Sequence, residues 1–308
     1  MKKLILALLV LGLFVAACEE GQEGDGVAVP FIGGTDALLI SFEADAPPAE
    51  VYDGGDFPFD IELKILNAGE REVKKEDIKI QISGIDPVEF DKQSADFFLS
   101  PAENIEAKAK DPAGNIIEPN PVYLTIPDLN HVQSVTGNLN YPILATACYK
   151  YGTEALSRLC IKQNLYETGG ACAVAGEKPV VNSGAPIQVS SLTESVAGAS
   201  KIAFVFKIEH KGEGKIFKLG TECNKANVRG DENKVNVEVE TGLAGLKCTQ
   251  LRDGTETKGY VTLVDGEATV RCEQEITTPG EFLKTVNIKI DYDYQQTVST
   301  SILVIHAD

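Results

Sequence analysis

The chain has 308 residues and a formal net charge of −18, with 28 Lys and Arg against 46 Asp and Glu. That acidic excess argues against a nucleic-acid partner, which needs a basic face, and against charge-driven docking on an anionic membrane. The length exceeds what one small core encloses comfortably, so two domains are expected.

The chain opens Met1-Lys2-Lys3 and continues uncharged from Leu4 to Ala17. A short basic start before an apolar run reads as a secretory signal, and the run is shorter than the roughly 20 residues a spanning helix needs. It ends Val15-Ala16-Ala17-Cys18, followed at once by Glu19-Glu20-Gly21. This resembles the lipobox of prokaryotic lipoproteins, which implies that Cys18 is lipidated and becomes the new N-terminus. An ordinary cleaved signal that happens to precede a cysteine is the alternative. Residues 1–17 are thus expected as signal and 18–35 as a lipid-anchored tether. No later stretch is long and apolar enough to span a bilayer.

Beyond the tether, period-two alternation predicts strands at Leu38–Phe42, Phe59–Ile65, Ile78–Ile82 and Val122–Ile126. It returns at Ile187–Leu192, Ile202–Ile208, Val235–Val239, Tyr260–Val264, Ala268–Cys272 and Val286–Tyr294. Asp265-Gly266 between two such runs is a two-residue hairpin signal. The halves repeat: Phe59, Ile61, Leu63, Ile65 and Gly69 fall on Ile202, Phe204, Phe206, Ile208 and Gly212, and Tyr149 and Tyr151 on Tyr292 and Tyr294, all at a shift of 143. Ile78, Ile80 and Ile82 match Val235, Val237 and Val239 at 157, so the register slips between the markers. The expected fold is all-β, two tandem immunoglobulin-like sandwiches over 36–165 and 184–308 joined by a linker at 166–183.

The pattern Phe59-x-Ile-x-Leu-x-Ile-x-Asn67-x-Gly69 resembles the opening strand and turn of the CARDB-type immunoglobulin-like domains of archaeal and bacterial surface proteins. The lead-in Ala46-Pro47-Pro48-Ala49 resembles the proline-rich segments of archaeal exported proteins. In the second half His210 stands where the first has Asn67. The resemblance implies extracellular binding or spacing and no catalysis.

Six cysteines follow Cys18: Cys148, Cys160, Cys172, Cys223, Cys248 and Cys272. An even number in an exported chain suggests disulfides, and no pair has the spacing of a zinc or redox motif. Tyr149–Ile161 reads as a hairpin turning near Gly152–Ala155, which would set Cys148 opposite Cys160. Cys248 would then pair with Cys272, and Cys172 with Cys223. The rival set joins Cys160 to Cys172 and Cys148 to Cys223, and the sequence leaves the connectivity open.

A search for chemistry finds no Gly-x-Ser-x-Gly, no His-Glu-x-x-His and no glycine-rich phosphate loop. No catalytic residue and no cofactor is therefore assigned. Glu43, Asp45, Asp53 and Asp56 bracket Pro47-Pro48 and could gather oxygen ligands for calcium, but without EF-hand spacing solvated charge is the favoured reading. Tyr149, Tyr151, Tyr292 and Tyr294 fit core packing better than a sugar-stacking platform. The function expected is that of a non-enzymatic lipoprotein of the cell envelope or surface. It would be held in the membrane by lipid on Cys18 and would bind, adhere or space, with a protein or glycan partner. An accessory subunit of an envelope secretion or filament complex is the alternative, and an enzyme of unfamiliar type a third.

Overall fold

The computed structural model describes residues 30–167, 169–223, 228–277 and 279–307. The signal, Cys18 and most of the expected tether lie outside them. The first half comprises β1 (Leu38–Phe42), β2 (Glu50–Tyr52), β3 (Phe59–Asn67), β4 (Ile78–Ser83), β5 (Phe98–Leu99), β6 (Ala109–Lys110), β7 (Ile116–Ile117), β8 (Val122–Leu129) and β9 (Leu139–Lys162). The second comprises β10 (Gly176–Lys178), β11 (Val181–Asn182), β12 (Ile187–Gly198), β13 (Lys201–His210), β14 (Lys215–Phe217), β15 (Lys234–Glu240), β16 (Leu246–Cys248), β17 (Lys258–Thr262), β18 (Glu267–Glu275) and β19 (Glu281–Ile305). Among the described residues, helix is limited to short turns such as Val228–Asp231. The fold is all-β, as the alternation predicts.

The two sandwiches share a sheet. β9 and β19 pair antiparallel along almost their whole length, from Glu281 opposite Lys162 to Val304 opposite Leu139. Strands of this length reach about 80 Å at 3.3 Å per residue. Around this ladder lie β4, β5, β15 and β17, with β2, β11 and β14 on its margins, making a nine-stranded platform. Alternation places Ile143, Ala145, Ala147, Tyr149, Tyr151, Ala155, Leu159 and Ile161 on one face of β9, all buried. Since that parity never changes, both smaller sheets pack on the same side. β1-β3-β8 covers the first half and β10-β12-β13-β18-β16 the second. The buried apolar side chains accordingly form one continuous cluster through both halves.

Strand pairing reproduces the register slip. Ile80 of β4 faces Ala147, and Val237 of β15 faces Ile290, the residue 143 beyond Ala147. In the ladder Tyr149 faces Tyr294, Tyr151 faces Tyr292 and Lys150 faces Asp293. Lys150 and Asp293 are also repeat mates, so a pseudo-two-fold axis normal to the platform passes between them.

The hairpin expected at Tyr149–Ile161 is not formed, because that stretch lies inside the continuous β9. Gly152, which reads as a turn residue, is an in-strand glycine opposite Asp291. A Cβ there would stand 2.7 Å from Asp291 Oδ1 and 2.8 Å from Ile290 O. Cys148 and Cys160 are thereby about 40 Å apart along one strand and cannot bond. The bridges are Cys148–Cys223, Cys160–Cys172 and Cys248–Cys272, the rival set together with the one expected pair. Segment 166–183, expected as a linker, supplies β10 and β11. Asp265-Gly266 does form a two-residue turn with positive φ at both positions. It closes only the Val264–Glu267 bridge, after which β17 joins the platform and β18 the covering sheet.

Candidate functional site

The pseudo-axis is where the repeat concentrates polar groups. On its core side stand Tyr149, Tyr151, Tyr292 and Tyr294, all fully buried, with Tyr149–Tyr151 and Tyr149–Tyr294 rings edge to face at 5.9 Å. Each half repeats one hydrogen-bond pattern. The Tyr151 hydroxyl donates to Asn67 Oδ1 at 3.1 Å and accepts the Arg71 N–H at 3.4 Å. At the mates of those residues, the Tyr294 hydroxyl bonds His210 Nε2 at 3.0 Å and accepts the Gly214 N–H at 2.8 Å. Gly69 and Gly212 are required beside these hydroxyls. A Cβ at Gly69 would collide with the Tyr151 hydroxyl and stand 2.6 Å from Gly184 O, and one at Gly212 would collide with the Tyr294 hydroxyl. The Asn67-x-Gly69 motif is thus a seat for the partner tyrosine. Burial pushes the hydroxyl of Tyr294 up to about 12, and those of Tyr149, Tyr151 and Tyr292 well above the usual value, so all four remain protonated core groups. They are sealed from any sugar.

On the opposite face the loop 220–223 lies over the axis. Buried Asp293 accepts the Gly220 N–H at 3.1 Å and the Glu222 N–H at 2.7 Å, and Cys223 is bonded to Cys148. Burial raises the Asp293 carboxyl. A small cleft of about 40 Å³ beside it is lined by Asp77, Lys79, Lys150 and Glu222. Both of its lysines are already paired, Lys79 with Glu222 at 2.6 Å and Lys150 with Asp77. It holds no nucleophile beside a base.

The four acidic residues considered for calcium do not converge. Asp53 is buried, and its carboxylate accepts the N–H groups of Val135 at 2.6 Å and Ala307 at 2.8 Å and bonds His306 Nδ1 at 2.8 Å. Those donors hold it far below the carboxylate range. It fastens the C-terminal residues to the 131–135 loop. Among the described residues, one group of potential ligands comes together, Cys160, Cys172 and Glu281. Its two sulfurs are joined to each other, which removes them as ligands.

Two polar centres escaped the sequence reading. Glu70 Oε1 accepts the Ile32 N–H at 2.8 Å, while its Oε2 accepts those of Gly33 at 2.8 Å and Gly184 at 2.7 Å, tying both lead-in segments to one side chain. Glu194 is fully buried, accepting the Cys160 N–H at 2.9 Å and meeting Lys178 Nζ at 3.1 Å. Desolvation raises its carboxyl to about 7. Glu194 stands at an inward position of β12, on the same face as Leu192 and Val196, and Cys160 of β9 and Lys178 of β10 meet it there.

No helix among the described residues is long and apolar enough to cross a membrane. No family model matches the chain, and no curated protein matches it. Among solved structures, red sea bream transglutaminase aligns with 89% of this chain and 32% of its own at 11% identity and a TM-score of 0.18. The chain thus spans about a third of that enzyme, and a likeness at that score carries no argument about fold or activity.

Proposed function

We propose that this protein is a non-enzymatic lipoprotein of the cell envelope, anchored by lipid on Cys18 and presenting the shared platform as a binding or spacing module outside the cytoplasm. The observation that carries the reading is the cysteine accounting. All six cysteines after Cys18 are paired in bridges, as suits an oxidising compartment, and the odd one stands where the apolar leader ends. The CARDB-type resemblance around Asn67 and Gly69 supports the same role. Fractionation of the producing cells tests it. The native chain should sediment with membranes and be open to protease added outside, and Cys18→Ala should abolish membrane retention. Retention of Cys18→Ala, or recovery of the native chain in the cytosol, would end the proposal.

A second reading, an accessory subunit of an envelope complex, is favoured by the margin of β19. β14 pairs with Asp293–Gln295 and β2 with Leu303–Ile305, and among the described residues no strand pairs with that edge between them.

A further inference from the structure

Among the described residues, no strand pairs with the edge of β19 away from β9 between Gln296 and Ile302. The Leu303 N–H points away from β9, to Ala49 O, and the Ile305 carbonyl does the same, to Asp53 N–H. By antiparallel alternation, Thr297, Ser299 and Ser301 therefore aim three N–H and three C=O groups into the open edge. The stretch Gln296-Thr297-Val298-Ser299-Thr300-Ser301 carries no charge, proline or bulge of the kind that usually guards an exposed edge.

The other half shows this edge filled. The mates of Thr297, Val298 and Ser299 are Glu154, Ala155 and Leu156. β11 covers them, with Val181 opposite Leu156 and Asn182 opposite Ala155. Glu154 also donates to Ser183 Oγ and accepts the Ser183 N–H, at 2.9 and 2.8 Å. Burial follows the cover. Thr153, Ala155 and Ser157 on the core face are buried, whereas their mates Gln296, Val298 and Thr300 are half-buried. The chain preceding β1, which corresponds to β11, goes instead to Glu70, where Ile32 and Gly33 are held. It leaves a groove of about 260 Å³ between β1 and β19, lined by Leu38, Leu39, Ile40, Val298 and Glu213.

We propose that the edge Thr297–Ser301 is a docking site for an extended, uncharged strand of a partner protein that turns a β-branched apolar side chain inward, as Val180 does beside β11. Backbone pairing to Thr297, Ser299 and Ser301 would hold the strand, and its inward side chain would close the mouth of the first sandwich over Leu38, Ile40 and Val298. The edge of a second copy is flanked by its own β14 and β2, which stand in the way of edge-to-edge pairing. Lipidation plays no part in the inference, so it and the envelope reading can fail separately.

The probe is a synthetic peptide of residues 179–185, Pro-Val-Val-Asn-Ser-Gly-Ala, the chain's own cover in the second half. Added at up to about 1 mM to the intact protein, it should saturably slow amide exchange at Thr297, Ser299 and Ser301 about tenfold. Val298 and Thr300, whose amides face β9, should not change. Ser299→Pro removes an outward N–H without touching the ladder and should abolish the effect. The same peptide N-methylated at its second valine should also be inert on the unaltered protein, a control that needs no variant to fold. Unchanged exchange with the peptide would overturn the proposal. So would full protection of these three amides without peptide in a protein that sediments as a dimer, which would assign the edge to a second copy.

Discussion

Replacing Glu194 with glutamine should remove a fall in stability that the native chain shows as pH rises from about 4.5 to about 7. The side chain is fully buried, and its carboxyl rises from the ordinary 4.5 to about 7. Between those values the folded protein binds more protons than the unfolded chain, so stability falls as pH rises through the interval and is level above it. At about 1.36 kcal/mol per pH unit the loss is about 3 kcal/mol. Glu194→Gln has no proton to release. It should match the native chain within about 1 kcal/mol near pH 4 and exceed it by about 2–3 kcal/mol near pH 8. His210, whose ring burial holds more neutral, titrates in the opposite sense in both proteins and cancels in the difference. Urea unfolding with the bridges intact, followed by far-ultraviolet circular dichroism across that range, measures it. A variant less stable than the native chain by the same amount at both ends would refute the reasoning. It would show Glu194 ionised and stabilised by Lys178.

Tyr151→Phe and Tyr294→Phe each remove a buried hydroxyl from matching sites, so each should cost about 1–3 kcal/mol in the same denaturation assay. A cost confined to one half would break the equivalence of the two seats. Gly69→Ala should fold in low yield or with a much reduced Tm, since the new methyl meets backbone oxygens of Gly184 and Asp36 at 2.6 and 2.7 Å. A Tm within a degree or two of native would show that the motif is not a packing seat. Asp53→Asn should speed amide exchange at Val135 and Ala307 selectively, because a neutral side chain holds those donors less strongly. Uniform acceleration across the sheet would contradict the local clamp.

Much of this architecture is legible in local pattern. Alternation marks β3, β4, β13 and β15, and the repeat shifts of 143 and 157 agree with the pairings found. The joining of the halves is not legible, because pairing of β9 with β19 is a choice among distant partners that alternation alone does not specify. Gly152 misleads for a local reason. Glycine marks turns, yet here its missing side chain admits Asp291 and the Ile290 carbonyl across the ladder. The cysteine pairing goes astray with it. The acidic lead-in misleads differently, since Asp53 finds its donors at Val135 and at His306–Ala307, far off in sequence. The open edge of β19 could be read only after the covered edge of β9 had shown what was missing.

The most direct test of the envelope account is the intact mass of the protein purified from its own membranes, before and after reduction. The account predicts a chain that begins at Cys18 with added lipid mass and gains two hydrogens for each of three bridges. A chain without lipid on Cys18, or one whose mass does not change on reduction, would contradict it.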